Sequence, residues 1–290
     1  MRLKRLLFAA LAMITATALL TGCTKVNREF TTESAITVIS REDGSGTRSA
    51  FTQLTGVYEE TATTKTDNTV AAAIIQSNTQ AVITGVAGDL SAIGYISLGS
   101  LNDSVTAVKI NGVAPTADTI RDGTYKIARP FNIAVKSDLS TEAKNFVDFI
   151  LSTEGQRIVA DAGYVEAVDN PKEFAGVKGE GTVKVGGSSS VSPVMEKLAE
   201  EYEKLNQNVN VEVSASDSST GMSAAAEGTL DIGLASRAIK PSETEKGLTA
   251  TAIAKDGIAV IINHKNTVND ITLEQLKNIY TGEYITWKLG

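Results

Sequence analysis

The stretch AITVISREDGSGTRSAFTQLTG, residues 35–56, decides the reading of the fold. Ala35 to Ser40 is a β-branched run suited to a buried strand. A turn of glycine and hydroxyl residues follows. Ala50, Phe51 and Leu54 then fall on one helical face, with Gly56 as a stop. Strand, glycine-rich turn and helix thus succeed one another.

The same plan returns later in the chain. GTVKVGG (181–187) reads as a strand, SSSVS (188–192) as a hydroxyl-rich turn, and PVMEKLAEEYEKLN (193–206) as a helix with Pro193 at its first position. Val194, Met195, Leu198, Ala199, Tyr202 and Leu205 form its apolar stripe. VNVEV (209–213) alternates as a strand, and SDSSTGMSAAAEG (216–228) is again turn into helix. LDIGLAS (230–236) and GIAVIINH (257–264) are strands. TLEQLKNIYTG (272–282) is a helix opened by Thr272 and Gln275 at capping-box spacing.

Between the two units, TVAAAIIQSN (69–78) suits a helix, AIGYISL (92–98) a strand, and VTAVKINGVAPT (105–116) a hairpin turning at Asn111-Gly112. YKIARPFNIAV (125–135) is extended, and its Pro130 tolerates an edge or crossover position. Two short helices follow, STEAKNFVDFIL from Ser140 and STEGQRIVADAGY from Ser152. The polar DNPKEFAGVKGEG (169–181) is the best internal linker. Strands alternating with helices predict an α/β fold.

Arg2, Lys4 and Arg5 precede an apolar run from Leu6 to Leu20 that ends in Leu20-Thr21-Gly22-Cys23. This is the pattern of a secretory leader over residues 1–22, cleaved before Cys23, with lipid on its sulfur. Residues 23–35 would then be a tether. Cys23 is the single cysteine, so disulfides are excluded and stability must come from burial. Loss of the leader moves the formal charge from −7 to −10, with 24 basic against 34 acidic residues. Such a balance argues against nucleic acid as a partner. A mature chain of 268 residues favours two lobes over one.

Three turns share one design: DGSGT (43–47), GGSSSVS (186–192) and SDSSTG (216–221). Each places glycine and hydroxyls at a helix N-terminus, where unpaired N–H groups and the helix dipole receive anions. Arg41, just before the first turn, offers a two-pronged donor for an oxyanion. Helix capping is the ordinary alternative for any one of them. The absence of GxxxxGK[ST] excludes a nucleotide P-loop. With His264 as the single histidine, neither a histidine-based triad nor a zinc site has material, so no catalytic residue, metal or cofactor is expected.

VISREDGSGTRSAF, VKVGGSSSVSPVMEKLAEEY, SSTGMSAAAEGTLDIGLASRAIK and LEQLKNIYTGEYITW resemble the phosphate-binding proteins of bacterial ABC phosphate importers, within the periplasmic-binding-protein superfamily. The resemblance covers nearly all of residues 36–290. It departs in order: GSSSVSP usually comes first and SREDGSGTR last, so the chain reads as circularly permuted, with the old termini joined near 169–181. Permutation preserves a fold whose termini lie close together at the surface.

The resemblance implies a two-lobed, type II α/β fold with the ligand in the cleft between lobes. One lobe would span 36–130 plus 263–290 and the other 131–262, joined by crossover strands in RPFNIAV and GIAVIINH. It places ligand contacts on Arg41, Ser45, Gly46 and Thr47 from one lobe and on Ser189, Ser190, Ser218 and Ser236 from the other, with Arg237 as a further candidate or an ion-pair partner. Where some members carry an aspartate that accepts the proton of hydrogen phosphate, this chain has Ser236. Asp217 and Asp231 stand nearby in sequence. The implied partners are inorganic phosphate, membrane permease subunits of an ABC transporter, and the membrane itself through the lipid. A monomer is expected. Sulfate or molybdate is the alternative ligand, and a secreted phosphatase the alternative class.

Overall fold

The computed structural model describes residues 29–61, 63–176 and 179–289, so Cys23 and the leader lie outside the described residues. β1 (Thr37–Arg41) is buried from Val38 onward and delivers the chain to α1 (Gly46–Thr55). Gly56 ends this helix at φ 73°, in the left-handed region that costs glycine least. Leu54 departs from expectation and is 38% exposed. The inward face is made by Ala50, Phe51, Thr52 and Thr55; the two threonines return their hydroxyls to Arg48 O and Phe51 O.

After the outer hairpin of β2 (Tyr58–Glu60) and β3 (Lys65–Asp67), the helix expected over 69–78 is absent. Ile74–Gln76 instead form β4, paired in parallel with β1, and α2 (Thr79–Gly88) begins only after Asn78 has capped it. Pairing to a neighbouring buried strand overrides the helix propensity of the alanine run. β5 (Ala92–Ser97), buried throughout, flanks β1 on its other side. β6 (Thr106–Ala107) and β7 (Lys109–Ile110) lead to the expected turn. There Asn111 and Gly112 have φ 51° and 79°, and Ile110 and Val113 exchange backbone hydrogen bonds. α3 (Ala117–Arg121) closes this part.

β8 (Ala128–Val135) carries the chain to the two expected helices, α4 (Thr141–Ile150) and α5 (Thr153–Asp161), which Ser140 and Ser152 cap. Then come β9 (Val165–Glu166), β10 (Gly181–Ser188), α6 (Ser192–Leu205), β11 (Val209–Ser216), α7 (Ser218–Glu227), β12 (Ile232–Ala235) and α8 (Pro241–Thr244). Pro193 is the second helical residue of α6, not the first, and Leu205 at the end of its stripe is exposed. β13 (Thr249–Ile262) starts well before the expected Gly257. Its early half lacks clean alternation because its register slips between Ala252 and Ala254. β14 (Asp270–Ile271) and α9 (Leu273–Thr281), opened by the Thr272–Gln275 capping box, complete the order.

The main sheet runs β11-β10-β12-β8-β13-β5-β1-β4. One hydrophobic core, around Phe131, Phe146, Val185, Leu198 and Tyr202, underlies the half that begins at β11; another, around Phe51, Tyr95, Val260 and Tyr280, underlies the half that ends at β4. The α/β, two-lobed, type II architecture follows from this division. β8 and β13 form its seam. β13 pairs with β8 from Thr249 to Gly257 and with β5 from Ile258 to Ile262. Pro130 lies opposite Lys255, before β12 joins β8 at Asn132, where a missing N–H disturbs the ladder least. At the chain's ends, Phe30 packs edge-on to Trp287 at 5.9 Å and Ala35 bridges Thr286, so the stretch after Phe30 is tied to the body.

Candidate functional site

The carboxyl ends of β1, β10 and β11 and the chain leaving β4 all lead into helices, and the N-termini of α1, α2, α6 and α7 converge between the lobes. Open α/β sheets bind ligands at this end of their strands. The caps and the cleft hydroxyls are different groups. Ser45 caps α1 by accepting from Arg48 N at 3.3 Å, Asn78 caps α2, and Asp217 caps α7 by accepting from Ser219 N and Thr220 N at 2.8 and 2.9 Å. Val191 opens α6 without any side-chain cap. The hydroxyls of Ser189, Ser190 and Ser218 are therefore free of capping duty, and they face the opposite jaw.

Across the cleft, Arg41 Nη2 donates to Ser189 Oγ at 3.2 Å, and Thr47 Oγ1 lies 2.9 Å from Ser190 Oγ. Thr79, the first residue of α2, joins them: its Oγ1 is 3.3 Å from Ser190 Oγ and 3.4 Å from Arg41 Nη1. Gly46 faces Ser218 and Ser236, and both hydroxyls lie within 3 Å of where a β-carbon would stand. Ser236 Oγ accepts from Ser188 Oγ at 2.9 Å, and Ser236 N donates to Ser218 Oγ at 3.2 Å. Arg41, Gly46, Thr47, Ser189, Ser190, Ser218 and Ser236 are thus brought to one place, whereas the hydroxyl of Ser45, next to Gly46 in the chain, is taken up in capping α1.

Arg41 is 2% exposed, and its charge is balanced next door: Nε and Nη2 reach the two carboxylate oxygens of Glu42 at 2.8 and 2.7 Å. Tyr95 supports the strand end from below, with its hydroxyl 2.8 Å from Ser40 Oγ and accepting from Arg41 N at 3.2 Å. Burial pushes the Tyr95 phenol up to about 12, so it stays a neutral support. Burial alone would raise Asp217, but the bonds from Thr220 and Ser219 hold its carboxyl below the usual range.

Arg237 forms a largely buried ion pair within one half of the molecule. Its two terminal nitrogens reach the two oxygens of Glu243 at 2.9 and 2.7 Å, and Nη2 is 3.4 Å from Ser219 Oγ. Asp217 borders the cleft against Gly44, whereas Asp231 accepts from Lys184 N midway along β10. Sequence reasoning missed Thr79 and Ser188. Thr79 was hidden by the misplaced helix, although Asn-Thr before QAVITGVAG is a cap signal. Ser188 stood inside the serine run itself.

The profile of the PBP superfamily domain matches residues 10–154 and 173–289. The phosphate-binding protein PstS 2 of Streptococcus agalactiae is 45% identical over 286 residues, covering 98% of this chain and 97% of that one. The crystal structure of a phosphate ABC transporter, phosphate-binding protein from Streptococcus pneumoniae TIGR4 aligns at TM-score 0.71 and 44% identity, over 89% of this chain and 100% of that one. These end-to-end matches mean that streptococcal relatives share the segment order of this chain. The phosphate-binding protein PstS of Staphylococcus saprophyticus aligns at 42% identity over only 38% of this chain and 37% of that one, the pattern a reordered chain gives. The chain belongs to the PBP superfamily and, within it, to the family of the streptococcal phosphate-binding proteins.

Proposed function

We propose that the chain is an extracytoplasmic, lipid-anchored receptor that captures inorganic phosphate between its lobes and delivers it to the permease of an ABC importer. It is a binding protein and not an enzyme. Cys23 would carry the lipid, the lobes would divide at 130/131 and 262/263, and the working form would be a monomer. The observation that carries the reading is the position of Arg41: a buried guanidinium reaching Ser189 across the cleft, ringed by hydroxyls that no helix needs as caps. A tetrahedral oxyanion matches such a donor set, since it accepts from many directions at once. A ligand held by both jaws favours the closed state over the open one.

Equilibrium dialysis with labelled phosphate tests this. Saturable binding at micromolar or lower phosphate is expected, and its absence overturns the reading. A second reading, a receptor for sulfate or molybdate, is favoured by one feature: the hydroxyl of Ser236 donates or accepts, whereas a carboxylate at that place would demand a proton on the ligand. Competition by sulfate against labelled phosphate at neutral pH separates the two.

A further inference from the structure

The seam between the lobes contains a buried ion pair that the cleft itself does not use. Arg129 of β8 and Asp256 of β13 are direct register partners, and their side chains are 1% and 0% exposed. Arg129 Nε and Nη2 donate to Asp256 Oδ2 at 3.2 and 3.1 Å. The other carboxylate oxygen accepts from Ser97 Oγ at 2.9 Å and Leu98 N at 3.2 Å, both at the end of β5 in the opposite half of the sheet. The remaining guanidinium arm, Nη1, donates to the backbone carbonyl of Ser236 at 3.0 Å.

We propose that Arg129 and Asp256 are a positioning pair that fixes the ligand-facing segment Ser236–Arg237 to the crossover strands, so that lobe closure and ligand affinity depend on it. A continuous chain of bonds runs from Ser97 and Leu98 in one lobe, through Asp256 and Arg129, to Ser236 in the other. Asn132, three residues along the same strand, donates to the next carbonyl, that of Arg237, at 2.8 Å. Two consecutive carbonyls are therefore held by side chains of one crossover strand. The segment they hold places Ser236 Oγ against Ser188 and Gly46.

An alternative is that the pair only stabilises the seam. Buried pairs are weak stabilisers compared with apolar residues of similar volume, whereas loss of one partner leaves a charge unpaired and is costly. A forked donor with one arm on a ligand-facing carbonyl has a geometric task that an apolar filler cannot perform. Lysine, with a single terminal nitrogen, could keep the charge beside Asp256 without also holding Ser236.

This inference rests on the phosphate reading of the cleft. The test is calorimetric titration of the full chain with inorganic phosphate, alongside ligand-free melting and small-angle scattering with and without phosphate. The variants are Arg129→Lys and the double replacement Arg129→Met with Asp256→Leu, which leaves no charge unpaired. Both should melt close to wild type without ligand, bind phosphate at least tenfold more weakly, and compact less on loading. If Arg129→Lys does not fold, the double variant decides. Wild-type affinity and compaction in the double variant overturn the positioning role, as does a loss of affinity that merely follows a collapse of ligand-free melting. A wild-type protein that binds no phosphate overturns the underlying reading as well, so the two failures are distinct.

Discussion

Gly46 stands directly against Ser218: a β-carbon at position 46 would lie 2.3 Å from Ser218 Oγ and 2.7 Å from Ser236 Oγ. Gly46 is the first residue of α1, so glycine is not needed there for the helix. It is needed because the opposite jaw approaches the backbone this closely.

Gly46→Ala therefore separates folding from closure. The helix gains propensity from the change, while the closed cleft is overpacked by about 1–3 kcal/mol. The expected outcome is an unchanged or slightly raised melting temperature without ligand, with phosphate affinity reduced about tenfold or more. Calorimetry on the purified variant checks it, and retained affinity would show that the jaws need not meet as described.

Arg41→Ala removes the charged donor from the cleft. Hydrogen bonds to charged groups are worth about 1.5–3 kcal/mol, so binding should weaken by at least tenfold. Glu42, whose side chain is 23% exposed, can take water in place of its lost partner, which limits the cost to folding. Because the guanidinium is buried, the wild-type affinity should change little with added salt. Titration at low and high ionic strength checks both parts.

Glu243 gives the acid side of stability a specific source. Burial works to raise its pKa, but the bonds from Arg237 and Lys240 N outweigh burial and hold it below 4.5. A carboxyl with a depressed native pKa contributes stability above its unfolded value, and that stability is lost as pH falls through the native one. Glu243→Gln should lower the melting temperature at neutral pH by about 2–4 °C, corresponding to roughly 1 kcal/mol. It should also flatten the decline as pH falls below the ordinary glutamate range. Melting curves across that range, wild type against variant, show whether the slope changes.

What could be read in the sequence was local. SREDGSGTR, GGSSSVS and SDSSTG announced their strand ends and helix starts because capping and glycine turns act within a few residues. What escaped depended on distant partners. Ile74 and Ile75 sit in an alanine-rich run, and only the presence of β1 beside them makes a strand of it. Thr52 and Thr55 fill the inner face of α1 because backbone carbonyls one turn earlier accept their hydroxyls, which no apolar stripe records. Arg129 and Asp256 read as unremarkable charges until the seam brings them face to face. The family resemblance supplied the serine positions, but which hydroxyls cap and which face the cleft is settled by geometry alone.

Thr79 is a cleft residue hidden by the helix expected over 69–78, and it can be tested with little disturbance to the fold. Asn78, not Thr79, caps α2, so the threonine hydroxyl is not required to start the helix. Its Oγ1 instead lies between Arg41 Nη1 and the hydroxyls of Ser190 and Ser189, at 3.4, 3.3 and 3.5 Å. Thr79→Val keeps the shape and deletes this one group from a buried polar cluster. A neutral hydrogen bond of this kind is worth about 0.5–1.5 kcal/mol, so phosphate affinity should fall roughly three- to tenfold while the helical content stays as in wild type. Thr79→Ser restores the hydroxyl and should recover most of the loss. If valine binds phosphate as well as threonine does, Thr79 only orients Arg41 within the lobe and does not belong to the ligand-binding set.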